Sequence, residues 1–325
     1  MTQPVGLATW NPSTESVVLI GQVALILDEY ADYLPLTGRQ IFYRLVGAYG
    51  YEKTERAYKR LLDKLNRARR AGLVPFEHIR DDGVTHKYGL TWDSARDFAR
   101  WLPGYVERSY RQDRQHGQET VLELWVEAAG MVPQAFNVSW PYGVEVYSSG
   151  GFNSTTMKYE AARRIVDRYY ETGQPTKVLH VGDHDPSGVA IYDNLRDDIP
   201  AMVIGIVGRE HGDAIRNAAA NGGISTRELL AKMYAHISQW RRIAVTTDQM
   251  ADYRLEEAPP KATDSRSKGW VGGTVQVEAM SPDQLADEID DAIQDEMDSA
   301  HRGEVVEDER VERDKLLTWI EEAGL

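Results

Sequence analysis

Apolar positions in ESVVLIGQVALILDEYADY, Glu15 to Tyr33, recur at the spacing of a buried helix, with Gly21 in an early turn. Pro35 and Gly38 interrupt that pattern. Thr37 then stands as N-cap of a second helix, Gly38 to Tyr49, which Gly50 ends. A third helix is expected from Lys53 to Ala71, stopping at Gly72. In it Tyr58, Leu61, Leu62 and Leu65 share one stripe. Lys53, Arg56, Lys59, Arg60, Lys64, Arg67, Arg69 and Arg70 dominate the remainder. The following LVPFEHIRDDGVTHKYG predicts a small hairpin, Phe76 to Ile79 and Val84 to Tyr88, around an Asp-Asp-Gly turn. Two short helices, a basic helix and a hairpin are the order of a winged helix-turn-helix, whose basic helix enters the DNA major groove. A helical bundle with a basic solvent face is the plainer alternative; the hairpin favours the winged reading.

The pattern changes after a helical connection over Trp92 to Gln118. VLELWVE (Val121 to Glu127), GVEVYSS (Gly143 to Ser149), KVLHVGD (Lys177 to Asp183), AMVIGIV (Ala201 to Val207) and IAVT (Ile243 to Thr246) read as strands. Helices are expected at Asn153 to Thr172 and Ser187 to Asp198. Strands that are apolar nearly throughout, alternating with helices, indicate an α/β fold with a mainly parallel sheet covered on both faces. An acidic helical tail over Asp287 to Ile320, broken near Gly303, closes the chain. The expected division is residues 1–115, a helical arm and winged-helix DNA-binding domain, and residues 116–325, an α/β domain with the acidic tail.

Charge sharpens this division. The 325 residues carry a net −14, which taken whole disfavours nucleic acid. Between Arg39 and Arg114, however, 17 Lys and Arg stand against 10 Asp and Glu. From Ser281 onward 16 acidic residues face 4 basic ones. Such asymmetry hints at a nucleic-acid surface on the first part. The absence of cysteine excludes disulfides, thiolate nucleophiles and Cys-ligated metals. No signal-peptide pattern opens the chain and no run of 18 apolar residues occurs, so a cytoplasmic, nucleoid-associated protein with no membrane partner is expected.

The sharpest chemistry lies in VLHVGDHDPSG, Val178 to Gly188. A strand delivers Asp183 and Asp185 at its C-terminal end, where parallel α/β sheets form their ligand crevice. Two residues apart in extended chain, both side chains face one side, and His184 the other. Gly182 leaves room beside them. Pro186 stiffens the turn, and Ser187 is a candidate cap for the next helix. Glu127, ending its own strand, adds a third carboxylate. Hard oxygen donors without His or Cys suit Mg²⁺. The plainer reading of Asp-x-Asp is a turn with helix-capping acids, and Glu123, deeper in the first strand, reads as a solvent-facing edge residue.

A glutamate ending one strand, followed by a strand–Asp-x-Asp–helix unit, resembles the Toprim domain of topoisomerases, primases and related nucleases. The extended GDHDPSG is similar to the A subunit of topoisomerase VI and the related meiotic double-strand-break protein. TGRQIFYRLV, Thr37 to Val46, carries Arg39-x-Ile41-Phe42-Tyr43, similar to the Arg-x-Ile-aromatic-Tyr of that family's winged-helix domain. The resemblance spans about residues 37 to 280. It implies a winged helix followed by a Toprim-type domain, with Tyr43 attacking DNA, Arg39 stabilising the developing charge, and Mg²⁺ on Glu127, Asp183 and Asp185. It also implies a homodimer in which one chain's tyrosine meets the other's metal site. Ala128 departs from the lysine many Toprim sequences carry after the glutamate, and the insertion between Tyr43 and Glu127 is long. No ATPase motif is present, so strand passage would need a separate ATPase or SMC-type partner.

Three functions follow as expectations: cleavage of duplex DNA by tyrosine transesterification; water-dependent cleavage by a Toprim nuclease of a bacterial or phage defence or recombination system, with Tyr43 only packing; and a non-catalytic DNA-binding scaffold. Lys53, Arg56, Lys59, Arg60, Lys64, Arg67 and Arg70 are the candidate DNA contacts. Lys261 and Arg266 are candidates for a further phosphate contact, as are Gly150 and Gly151 near Asn153 and Ser154. Glu278 is a candidate metal-proximal acid. The acidic tail reads as solubilising.

Overall fold

Ser13 caps α1 (Thr14–Glu29), and Leu19, Ile20, Val23, Ile26 and Leu27 form its buried stripe. The chain turns through β1 (Leu36–Thr37) into α2 (Gly38–Tyr49), where Thr37 and Gln40 make a reciprocal capping box. Gly50 ends α2 in a left-handed conformation, φ 63°, that a side chain would disfavour. Thr54 caps α3 (Glu55–Arg70), which buries Ala57, Leu61, Leu65 and Ala68 and turns its charges outward. These helices share one core with Leu36, Val74 and Ile79. The structure, a computed structural model, describes residues 9–80, 91–149, 155–260 and 265–323.

The expected hairpin differs in its first half. Phe76–His78 is a turn of 3₁₀ helix, and β2 (Ile79–Arg80) pairs in parallel with β1. Arg80 explains the diversion: its guanidinium donates to the carbonyls of Pro35 and Gly130, fixing the strand against β1 and the α/β part. The turn at Asp81 to Gly83 and the strand Val84 to Tyr88 lie outside the described residues.

After α4 (Ala95–Ser109), which buries no residue, β3 (Val121–Val126), α5 (Val132–Ser139), β4 (Glu145–Ser148), α6 (Thr155–Thr172), β5 (Thr176–Val181) and α7 (Pro186–Glu210) follow. α8 (Gly212–Asn221), α9 (Thr226–Ile237), β6 (Ser238–Ala244) and α10 (Thr247–Asp252) come next. α11 (Pro282–Gln294) and α12 (Ser299–Glu322) complete the described elements. The result is an α/β fold. Strand order β4-β3-β5-β6 is parallel throughout. Leu122, Leu124, Val126, Leu179 and Val181 pack toward α5 and α11, while Trp125 and Val178 pack toward α6, α7, α8 and α9. Covering both faces explains the nearly unbroken apolar strands.

Two expected elements are corrected. Ala201 to Val207 is not a strand but the second half of α7. Tyr192, Leu195, Ile199, Val203 and Ile206 are buried at three- and four-residue intervals, a helical face that a short apolar run cannot reveal by itself. The fourth strand is instead β6, which begins at Ser238, five residues before the expected Ile243. The tail does not break near Gly303, which lies inside α12; the interruption is Asp295 to Asp298, where Asp298 caps α12. Nor is the tail wholly solvated, since α11 buries Leu285, Ile289, Ala292 and Ile293 in the sheet's core. Glu309 of α12 is buried against Arg114, which binds it through two nitrogens at 2.8 and 3.2 Å.

Candidate functional site

The C-terminal ends of β3 and β5 bring Glu127 beside Asp183. Glu127 Oε2 accepts the Asp183 backbone N–H at 3.0 Å. The glycines make room for it: a Cβ on Gly182 or Gly188 would stand 2.8 Å from that oxygen. Burial, and then the charge of Asp183, push the Glu127 carboxyl up to about 7. Burial also raises Asp183, whose Oδ1 accepts the Val277 N–H at 2.9 Å. Asp185, not Ser187, caps α7, its Oδ1 taking the Gly188 N–H at 2.7 Å. The capping interpretation therefore holds for Asp185. His184 faces elsewhere, with its ring against Trp270 and its backbone bridged to Val275.

Each of the three carboxylates lends one oxygen to a backbone N–H. Among the described residues, no group of three or more His, Asp or Glu side chains is arranged to hold a metal ion. The donor chemistry nevertheless fits a hard cation. Burial and neighbouring acid charge raise Glu127 and Asp183, and a cation would relieve that cost. Arg242 relieves part of it now. From β6 its guanidinium donates to the carbonyls of Gly182 at 2.8 Å and Asp183 at 2.5 Å.

Across from this edge, α2 presents Arg39 and Tyr43, one turn apart. Both donate to a single atom, Gln276 Oε1, from Arg39 Nη1 at 2.7 Å and Tyr43 Oη at 2.8 Å. The next residue, Val277, is the one whose N–H holds Asp183. Tyr43 is thus linked to its own chain's Asp183 through one dipeptide, whereas the family resemblance implied a meeting between two chains. Burial, followed by the charge of Glu278, pushes the Tyr43 phenol up to about 12, so it is protonated at neutral pH. Glu278 lies in the 3₁₀ turn Val277–Ala279, largely buried, 4.0 Å from Arg39 Nε.

Arg39, Phe42, Tyr43, Lys53, Tyr58 and Gln276 are among the residues lining a cleft of about 170 Å³ between the helical part and the α/β part. Lys53 belongs to this cleft rather than to the outer basic face. Its ammonium lies 5.6 Å from the Tyr43 ring centroid and donates to the Glu256 carbonyl at 2.5 Å. The cleft opens onto the start of α3, where Arg56, Lys59 and Arg60 are exposed. Lys59 pairs with Glu55 at 3.7 Å, Arg60 with Glu52 at 2.9 Å and Arg67 with Asp63 at 3.0 Å. Such surface pairs hold their partners weakly. Lys64 donates to Ser16 and Arg70 to Asn66. Arg266 donates to Ser187 at 3.2 Å, beside the start of α7. Lys261 lies outside the described residues, as do Gly150, Gly151, Asn153 and Ser154.

Glu123 is corrected from a solvent-facing edge residue to a fully buried one. Burial opposes its ionisation, yet Arg164 and Arg168 of α6 hold its carboxyl below the usual range. Sequence reasoning missed Gln276 and Arg242. Gln276 carries no local signal, since its partners lie more than 230 residues away. Arg242 was legible only by starting the last strand earlier. Compared with protein-family models, with curated proteins and with solved structures, the chain matches none. No described helix is long and apolar enough to cross a membrane.

Proposed function

We propose that this protein cleaves duplex DNA by tyrosine transesterification, in the manner of the topoisomerase VI A subunit. The observation that carries the reading is the convergence of Arg39 and Tyr43 on one oxygen that adjoins Asp183 through Val277. A nucleophile and a cation one helical turn apart face an acidic strand end of a parallel sheet. Basic side chains of α3 (Arg56, Lys59, Arg60, Lys64, Arg67 and Arg70) hold the DNA backbone, and Lys53 and Arg266 reach it nearer the site. Tyr43 Oη forms a bond to phosphorus as the P–O3′ bond breaks. The 3′ oxygen leaves with a proton, the phenol proton passes to solvent, and the 5′ end stays on the protein. Arg39 stabilises the charge that develops on the phosphoryl oxygens.

Glu127, Asp183 and Asp185 are the residues that would hold Mg²⁺, which when bound supplies charge neutralisation at the phosphate. Each chain carries one Tyr43, so breaking both strands requires two copies acting together. Strand passage would require a separate ATPase or SMC-type partner.

A second reading, hydrolysis by water at the same acidic site, is favoured by the Tyr43 phenol, protonated and held by Gln276. A plasmid assay separates the two. Supercoiled DNA and Mg²⁺ are mixed with the protein, the reaction is stopped with detergent, and samples are run with and without protease. Transesterification gives breaks that carry protein, lost in Tyr43→Phe and in Asp183→Ala. Protein-free breaks that survive Tyr43→Phe but not Asp183→Ala establish hydrolysis. No cleavage by any form favours the scaffold.

A further inference from the structure

Gln276 belongs to neither element of the proposed chemistry, yet it occupies the point where the two reacting groups meet. Arg39 Nη1 and Tyr43 Oη approach the same oxygen at 2.7 and 2.8 Å. A guanidinium that binds a phosphate oxygen and a phenol that attacks the phosphorus must both stand about 3 Å from one phosphate group. The Gln276 amide oxygen is neutral, a hydrogen-bond acceptor of the same kind and in the same place. The surrounding connection is fastened in parallel: Lys53 donates to the Glu256 carbonyl and Arg44 to the Ala279 carbonyl. Four polar side chains of the helical part, Arg39, Tyr43, Arg44 and Lys53, thus each donate to Gln276, Ala279 or Glu256 of the α/β part. The cleft of about 170 Å³ that remains is far too small for a duplex.

We infer that Gln276 Oε1 fills the subsite for an oxygen of the DNA phosphate, and that substrate must displace it. This inference rests on the DNA-cleaving reading and deepens it. The phosphate takes the place of the amide oxygen before Arg39 and Tyr43, and the Gln276 side chain rotates away while Val275 and Val277 keep their backbone bonds to His184 and Asp183. An anionic phosphate competes well against a neutral amide for a guanidinium, because charge-assisted hydrogen bonds are roughly twice as strong as neutral ones. Glu278 and Asp183 stand nearby as opposing charges, so a bound cation favours the exchange.

Occupancy and positioning predict opposite signs. If Gln276 is an occupant, removing it frees the subsite; if it orients Tyr43 and Arg39 for substrate, removing it weakens binding. The test is anisotropy of a fluorescent 20-base-pair duplex, with Ca²⁺ replacing Mg²⁺, for the full chain and four variants. Gln276→Ala should tighten binding by about five-fold or more, the scale of one net hydrogen bond, since two to Gln276 no longer have to be broken. Gln276→Glu should weaken it, because the new carboxylate locks onto Arg39. Arg39→Ala should weaken it too, and Arg39→Ala with Gln276→Ala should show no gain over Arg39→Ala alone. Far-ultraviolet circular dichroism verifies that each variant is folded, and a fifth variant, Gln276→Met, which keeps the side-chain length without the acceptor and should also tighten binding, carries the test if Gln276→Ala fails to fold. Unchanged or weaker binding by folded Gln276→Ala, or tighter binding by Gln276→Glu, overturns the inference and leaves the DNA reading standing if Arg39→Ala still weakens binding. Binding that is absent, or indifferent to Arg39, overturns the DNA reading and the inference together.

Discussion

His180 shows how far one side chain of this sheet departs from its free behaviour. It is fully buried on β5, with Nε2 3.4 Å from Ser149 Oγ and its ring 5.0 Å from that of Tyr192. Burial, helped by the charge of Arg242, holds its pKa down to about 3. The unfolded chain binds this proton near pH 6.5, while the folded chain does not. The contribution of His180 to stability is therefore complete above about pH 6.5 and is lost progressively as pH drops toward 3, while the raised Glu127 and Asp183 carboxyls act in the opposite sense over the same range. Urea denaturation of wild type and His180→Gln isolates it: the wild type should lose stability relative to the variant as pH falls from 7 to 4. A difference between the two that stays constant over that range contradicts it. Residue-scale chemistry was partly legible beforehand. Gly182 reads as a space beside a carboxylate, because only a glycine fits a backbone so close to an acid, and Glu127 Oε2 does occupy that space. Gln276 and Glu123 were not legible. Their roles depend on partners brought in from other elements, Arg39 and Tyr43 for one and Arg164 and Arg168 for the other.

At the scale of elements, capping and patterning were reliable where residue chemistry dictates local geometry. Thr37 and Gly50 delimit α2 as expected, whereas at α7 the expected cap Ser187 gives way to Asp185. Periodicity failed where burial is nearly complete. AMVIGIV lacks the polar residues that would reveal a helical face, so only its neighbours α6, α8 and α9 determine its state. Gly205 tests this assignment. A Cβ there meets nothing within 4 Å, and its backbone is helical. Gly205→Ala should stabilise the fold by roughly 0.5–1 kcal/mol, the difference in helix propensity. Thermal unfolding should register a higher midpoint; a lower one would contradict a helix at this position. The tail gave the other failure. Its acidic composition conceals α11, whose apolar residues fall at helical intervals between charges and serve the sheet's core.

At the scale of the whole molecule, charge asymmetry and the division of the chain are connected. The start of α3, with Lys53 and Arg39, lines one side of a cleft whose other side is Ala258 and Gln276, and Gln276 adjoins Val277, whose N–H holds Asp183 at the acidic strand ends. Under the proposed DNA-cleaving function, a polyanion gripped by α3 would be led toward Tyr43. Binding should weaken steeply with salt, since each neutralised phosphate releases counterions. Replacing Arg56 and Lys59 with Glu should lower the slope of log affinity against log salt by about 2, one for each lost contact. An unchanged slope would reduce α3 to a solvated face. Much of this arrangement was implicit in the order of the motifs. The proximity of Tyr43 to its own chain's Asp183 was not, because it depends on the 276–277 connection crossing between the two parts.

The central claim is that Tyr43 becomes covalently joined to DNA. The most direct measurement is mass spectrometry of the Tyr43 peptide after reaction with duplex DNA and Mg²⁺, detergent quenching, nuclease trimming and proteolysis. The account predicts a nucleotide phosphate on Tyr43 that disappears in Asp183→Ala. DNA breaks accompanied by an unmodified Tyr43 peptide would contradict it.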